Sequence, residues 1–270
     1  MKIVIYQHAL QHAGTWLAAM EAGMIRHGHR PVIDMWSGRV HQCDVAVVWG
    51  IGAYRAVLAA GRTVVIERGY MGDRFAWTSA GWDGLNGRAA FRNQDVDGAR
   101  WDRHFAPLMQ PWRGVVGGQH VLVAGQVAGD SAVRGVDLPA WYRACAAAYP
   151  GAQIRPHPRT MGIDNGVRRS GLPIVDGTLA GALTAARLVV TYNSNLGTDA
   201  MLAGVPVVAC DEGSMVWPVA GHALGGPVVE PTAAQRVAWA HRMAWCQWTI
   251  EEMAAGECWA HLRSGIDERH

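Results

Sequence analysis

Lysine is almost absent from this 270-residue sequence, because Lys2 is the only lysine among 24 basic residues. The other basic residues are arginines, which suit phosphate recognition, although a GC-rich genome produces the same bias. The 22 acidic residues leave a formal net charge of +2. A total charge this close to zero favours neither a nucleic-acid partner nor an acidic substrate.

Clustered cysteines and long apolar runs are also missing. The five cysteines show no CxxC spacing, which disfavours a zinc site or a disulfide framework and favours reduced thiols. No uninterrupted apolar stretch is long enough to cross a bilayer, and the N-terminal apolar run is too short for a signal peptide. We therefore expect a cytoplasmic protein without a membrane partner.

The first part of the chain alternates apolar strands with helices. Hydrophobic residues make up 50% of the chain, and its length favours two domains. Strands are predicted at 2–6, 31–34, 44–49 and 63–67, with helices at 15–26 and 54–60. This alternation is typical of a parallel, doubly wound sheet, which binds ligands beyond the carboxyl ends of its strands. The ligand edge is therefore predicted to carry His8, His12, Gly50, Gly52 and Glu67.

Residues 68–113 lose this periodicity and are rich in Gly, Arg, Trp and Asp. Because long irregular segments in compact proteins are usually functional, we expect an acceptor-binding loop here. The alternative is a surface loop pinned by buried tryptophans. The predicted acceptor-binding residues of the first domain are His8, His12, Trp77, Trp82, Arg100 and Arg103.

A second α/β unit follows a linker-like segment at 107–118. Its predicted strands are 120–124, 152–155, 172–175 and 188–191, with helices at 138–148 and 179–186. A tryptophan-rich helical region begins at Pro231 or Thr232 and restarts after Gln247, where Thr249 and Glu252 match a capping box. Its apolar face is expected to pack on the first domain. The predicted domains are 1–114, 115–231 and 232–270.

The stretch from Val189 to Cys210 predicts a buried strand, a polar turn, a short helix and a second buried strand. Asn193, Ser194 and Asn195 supply N-cap chemistry where the helix begins. A helix N-terminus at the carboxyl end of a parallel strand favours anions. We therefore expect a phosphate there; the alternative is an ordinary βαβ unit with a good N-cap.

Three polar loops of the second domain follow predicted strands and therefore share one sheet edge. They are G-Q-V-A-G-D-S at 125–131, H-P-R at 157–159 and N-S-N-L-G-T-D at 193–199, the last leading into A-x-x-x-G-x-P-V-V. These motifs resemble the GT-B glycosyltransferases of the capsular-polysaccharide group that is similar to the Kdo transferases. The resemblance covers residues 121–210, and small phage enzymes that glycosylate hydroxymethylated DNA bases share the architecture.

The resemblance implies an α/β protein of GT-B fold, with two Rossmann-like domains and a C-terminal helix crossing back to the first. It implies a nucleotide-sugar co-substrate, which we expect to be a UDP-sugar such as UDP-glucose. His157 and Ser194 would contact the donor diphosphate, and Asp199 would hold the ribose. The implied donor-binding set is Gln126, Asp130, Ser131, His157, Arg159, Asn193, Ser194, Asn195 and Asp199.

Sugar transfer requires stabilisation of the departing nucleoside diphosphate and, in an inverting enzyme, a base for the acceptor proton. We expect the base in the first domain, with Asp73 preferred, Glu67 next, and Asp83, His8 and His12 as further candidates. The alternative for Asp73 is an Asx turn or a salt bridge.

No metal is expected to be required, and no cofactor beyond the nucleotide-sugar co-substrate. The D-x-D at Asp95 and Asp97 follows no predicted strand, so we interpret it as a solvated turn. No His/Cys cluster has metal-ligand spacing either.

The predicted function is glycosyl transfer, and the acceptor is the open question. Arginines interleaved with tryptophans over residues 88–113 favour double-stranded DNA carrying a hydroxymethylated pyrimidine. A saccharide acceptor is the alternative. A sugar-nucleotide epimerase of the same fold and a non-catalytic binding module are the competing functions, and the oligomeric state is left open.

Overall fold

The computed structural model describes residues 1–7, 11–160 and 166–264, with only the backbone described for Gln11 and His12. The chain forms two compact units. Unit 1 comprises Met1–His104 and His241–His270, and unit 2 comprises Phe105–Ala240. The chain therefore leaves unit 1 once and returns to it with its C-terminal segment.

Strands and helices alternate through most of the chain. The strands are Ile3–Gln7 (β1), Val32–Met35 (β2), Val45–Trp49 (β3), Thr63–Arg68 (β4), Thr78–Trp82 (β5), His120–Ala124 (β6), Gln153–Arg155 (β7), Ala186–Thr191 (β8), Val207–Ala209 (β9) and Gln247–Trp248 (β10). The helices are Gln11–Arg26 (α1), Arg55–Ala60 (α2), Ala99–His104 (α3), Leu138–Ala148 (α4), Leu179–Ala185 (α5), Leu196–Leu202 (α6), Ala233–Ala244 (α7), Ile250–Ala255 (α8) and Glu257–Arg263 (α9). None of the helices in the described ranges is both long and apolar enough to cross a membrane.

The sheet of unit 1 has the order β10-β5-β4-β3-β1-β2 within the described residues. Strands β1 to β4 are parallel, β5 runs antiparallel to β4, and β10 pairs antiparallel with β5 at the edge of the sheet. The prediction that residues 68–113 are irregular is therefore wrong for β5 and α3. All five residues of β5 are buried and most are small, so the strand shows no alternation of apolar and polar positions.

Alternate residues of the parallel strands build a core on each face of the unit 1 sheet. Ile3 and Ile5 pack with α1, α8 and α9 on one face, while Val4 and Tyr6 pack with residues around α2 on the other. The capping box of Thr249 and Glu252 that starts α8 is confirmed. Trp248 and Trp259 are fully buried, so the C-terminal segment contributes to this core.

The sheet of unit 2 consists of parallel strands in the order β7-β6-β8-β9. Its core includes Val121, Val123 and Ile154, and α4 covers that face with Trp141 and Tyr142. The strand predicted at 172–175 is reduced to a single bridge with β7. Unit 2 is thus a small parallel α/β layer whose loops follow the carboxyl ends of its strands.

Candidate active site

The carboxyl ends of β6, β7 and β8 lie side by side at one edge of the unit 2 sheet. Ala124 pairs with Arg155, and Val123 pairs with Val190. The three predicted loops therefore begin at the same edge. Gly125 allows the first two loops to touch, since a Cβ added there would lie 2.7 Å from the Arg155 carbonyl oxygen.

Hydrogen bonds join the loop after β6 to the loop after β8. Gln126 is buried, and its backbone N–H donates to the Tyr142 hydroxyl at 2.8 Å. Its Nε2 lies 3.4 Å from Thr191 Oγ1, which in turn accepts a 2.7 Å bond from the Ser194 N–H. Gln126 is therefore held in place by side chains of α4 and β8.

Asn193 connects a further loop that the sequence prediction missed. Its Nδ2 donates to the Ala132 carbonyl at 2.6 Å and to Asp211 Oδ2 at 2.9 Å. Asp211 follows β9, so the fourth strand of the sheet also contributes to this edge. Asp211 could have been predicted from the sequence, because ligands bind beyond the carboxyl ends of parallel strands and β9 is one of them.

His157, Arg159 and Asp130 form a polar group between the loops after β6 and β7. The Arg159 N–H donates to His157 Nδ1 at 3.2 Å, so a neutral His157 ring carries its proton on Nε2. The Arg159 side chain is 72% exposed and its Nη1 lies 3.7 Å from Asp130 Oδ2. An exposed pair of this kind is weak, which leaves the guanidinium able to bind an anion. Asp130 also caps the turn that contains Ser131 by accepting from the Ala132 N–H at 3.1 Å.

The helix of the third loop, α6, is short, with seven residues. Asn195 at its N-cap makes no side-chain capping bond. Ser194 Oγ accepts from the Leu196 N–H at 3.3 Å, and Asp199 is half-buried in the first turn. Any phosphate bound here would rely on loop side chains and N–H groups more than on the helix.

Two predicted bases in unit 1 have different surroundings. Glu67 is half-buried at the end of β4, and its Oε2 would lie 3.3 Å from a Cβ added at Gly50. Asp73 is exposed, and its Oδ1 accepts a 2.8 Å bond from the Phe75 N–H. The Asx turn considered as the alternative for Asp73 is therefore present. His8 and the His12 side chain lie outside the described residues.

The assignment of Arg100 and Trp82 to acceptor binding is wrong, because both are buried. The Arg100 guanidinium makes bonds of 2.7 Å to each oxygen of Glu252 and further bonds to the carbonyls of Ala244 and Gln247. The Trp82 ring donates its N–H to a carbonyl oxygen of α9. These bonds use four of the five N–H donors of Arg100 and the ring N–H of Trp82, so both side chains help to hold unit 1 together.

The other predicted acceptor residues are more accessible. Arg103 is exposed on α3, and Trp77 is half-buried with its ring edge-on to His104, the centroids being 5.2 Å apart. The predicted donor residues thus lie together on one edge of unit 2, whereas the predicted acceptor residues divide into buried and exposed groups.

The architecture is a GT-B-like α/β fold, with two Rossmann-type units and a C-terminal segment that returns to the first. The chain is similar to a solved structure of Thermosulfurimonas dismutans KpsC, described as a beta Kdo 2,7 transferase. The two share 14% identity with a TM-score of 0.60, and the alignment covers 98% of this chain and 100% of that chain. A second KpsC structure from that organism, described as a beta Kdo 2,4 transferase, aligns with 14% identity over 89% of this chain and 90% of that chain, with a TM-score of 0.56.

These comparisons concern the fold, since sequence identity is low. The sequence matches no known family and no curated protein. The resemblance to phage DNA-base glycosyltransferases finds no support in them.

Proposed function

We propose that the chain is a glycosyltransferase that takes a sugar from a nucleotide-sugar donor bound by unit 2 and attaches it to a hydroxyl of a saccharide. One observation carries the proposal: the polar loops after β6, β7 and β8 are joined at one sheet edge of a fold shared with two Kdo transferases. Parallel α/β sheets bind nucleotides at this edge.

The reaction places a definite demand on the donor site. As the acceptor oxygen becomes attached to the sugar, the bond between the anomeric carbon and the diphosphate oxygen breaks with its electron pair on that oxygen, and the acceptor loses a proton. Preorganised donors aimed at the developing negative charge lower the barrier. The Nε2–H of His157 and the exposed guanidinium of Arg159 are the groups that we assign to this task.

Glu67 is the better supported base. Each carboxylate accepts a backbone N–H bond, Asp73 from Phe75 at 2.8 Å and Glu67 from Arg68 at 3.0 Å. Asp73 is exposed, however, whereas Glu67 is half-buried near the end of a strand whose preceding residues are buried. Glu67→Gln should therefore lower kcat by 100-fold or more, within the usual range of about 10²–10⁴ for general-base catalysis. Asp73→Asn is the matched control, because the asparagine side chain can close the same turn. Equal losses in both variants would count against Glu67.

A saccharide is the favoured acceptor. The DNA hypothesis depended on exposed arginines and tryptophans between residues 88 and 113, yet Arg100 and Trp101 are buried. The two similar structures are described as Kdo transferases. Activated Kdo and UDP-sugars are therefore the donors to test first, with hydroxymethylated DNA kept as one arm of the acceptor panel.

Calorimetric titration with nucleoside diphosphates and monophosphates tests the donor site. His157→Ala and Ser194→Ala should each weaken the tightest nucleotide by about tenfold or more, because hydrogen bonds to charged groups contribute about 1.5–3 kcal/mol. His120→Ala is the matched control, since His120 begins β6 at the opposite edge of the same sheet. Unchanged affinity in both site variants would contradict the assignment.

A further inference from the structure

Unit 1 contains a cavity of about 430 Å³ that the predicted functions do not use. Arg68, Phe75, Trp16, Thr15 and Glu251 are among its lining residues. Arg68 ends β4, and Glu251 lies in the first turn of α8. The cavity therefore combines a cation, two aromatic rings, a hydroxyl and a carboxylate.

The Arg68 guanidinium has no acidic partner among the residues that the structure describes. Its carbon lies 4.7 Å from the Phe75 ring centroid and 5.7 Å from that of Trp49, and within the described ranges the guanidinium makes neither a hydrogen bond nor an ion pair. Glu251 lines the same cavity without pairing with it. A guanidinium positioned by aromatic rings keeps its planar set of donors available for a carboxylate or phosphate.

Phe75 lies in an Asx turn at the surface. The residue is 76% exposed, which is unfavourable for a large apolar group in water. The Asp73 carboxylate nevertheless fixes its backbone by accepting from the Phe75 N–H at 2.8 Å. An exposed ring held beside an unpaired cation is suited to stack against the face of a ligand whose acidic group reaches that cation.

We propose that this cavity binds an anionic sugar, a pyranose whose carboxylate pairs with Arg68 while its ring lies against Phe75. The Thr15 hydroxyl and the Glu251 carboxylate would bond the ring hydroxyls. Glu251 also favours a singly charged carboxylate over a doubly charged phosphate, because like charges in one cavity repel. That this sugar is the acceptor rests on the proposed function, whereas the binding itself does not.

Titration of the full chain, without any donor, tests the binding. Methyl glucuronide should bind at least tenfold more tightly than methyl glucoside, and glucose 6-phosphate should bind more weakly than the glucuronide. Arg68→Gln should abolish the preference for the glucuronide, while Phe75→Ala should weaken both methyl glycosides. Arg39→Gln, an exposed arginine of unit 1 outside the cavity, is the control and should change neither.

Several results would overturn this assignment. They are a preference for the glucuronide that survives Arg68→Gln, equal binding of the two methyl glycosides, or tighter binding of the phosphate than of the glucuronide. Failure of the proposed function has a different signature. If the wild-type chain binds the glucuronide through Arg68 but transfers no sugar, the cavity assignment stands and glycosyl transfer fails. If transfer occurs and Arg68→Gln keeps the wild-type kcat/KM for the glucuronide, glycosyl transfer stands and the cavity assignment fails.

Discussion

Replacing Arg100 by methionine should destabilise unit 1 severely. The side chains of Arg100 and Glu252 are only 7% and 14% exposed, and two 2.7 Å bonds join them. Arg100→Met leaves the Glu252 carboxylate and two backbone carbonyls without this partner. Breaking a buried ion pair typically costs about 3–5 kcal/mol, a large share of the roughly 5–15 kcal/mol available to a folded protein.

Urea unfolding at pH 7, followed by far-UV circular dichroism, measures this loss. Arg103→Met is the control, because Arg103 lies on the same short helix but is exposed and should change the unfolding free energy by less than about 0.5 kcal/mol. If both variants lose equally little, Arg100 is not the buried structural cation described above, and its role in binding a phosphate would be open again.

The difference in unfolding free energy between wild type and Arg100→Met should also depend on pH. Burial alone would raise the pKa of Glu252, but the hydrogen bonds from Arg100 and from the Thr249 N–H, together with the nearby positive charge, outweigh it and hold this pKa below its ordinary value. The stabilisation is therefore complete above the unfolded-state pKa of about 4.3 and is lost as the pH falls through the folded-state pKa. The difference in unfolding free energy between wild type and Arg100→Met should become smaller below about pH 4. A difference that is constant from pH 7 to pH 3 would contradict this.

Three further predictions concern particular residues. Gly204→Ala should lower the unfolding free energy more than Gly129→Ala. Both glycines have φ near +80°, but only at Gly204 would the new Cβ lie 2.1 Å from the Pro111 carbonyl oxygen. Equal urea midpoints for the two variants would contradict this. Thr249→Ala removes a capping box and should lower stability by about 1 kcal/mol, whereas an unchanged thermal midpoint would deny the cap that role. Burial lowers the pKa of His261, so stability should fall as the pH drops below about 6.5, and His261→Gln should flatten that slope.

The parallel parts of the fold could be predicted because their sequence signals are local. Buried β-branched runs marked β1, β3, β4, β6 and β8, and the Thr249 capping box marked the restart of the terminal helices. Strand β5 was not predicted because T-S-A-G-W consists mainly of small residues and lacks a run of large apolar ones. Its place in the sheet depends on antiparallel pairing with β4 and with the distant β10, which no local pattern reveals.

The candidate site could be predicted only in part, for the same reason. Loops that follow parallel strands must share an edge, so the positions of Gln126, His157 and Ser194 on one sheet edge followed from strand order alone. The burial of Arg100 could not be inferred, because Glu252, its partner, is distant in sequence. Asp211 was missed because the loop after β9, the last strand of the unit 2 sheet, was not considered together with the other three loops.

Glycosyl transfer is tested most directly by the mass of a saccharide acceptor after incubation with the full chain and a panel of nucleotide sugars. We predict that an oligosaccharide gains the mass of one sugar residue with at least one donor, and that His157→Ala reduces this gain. If neither saccharides nor hydroxymethylated DNA gain mass with any nucleotide sugar, including activated Kdo, the proposed glycosyl transfer is contradicted.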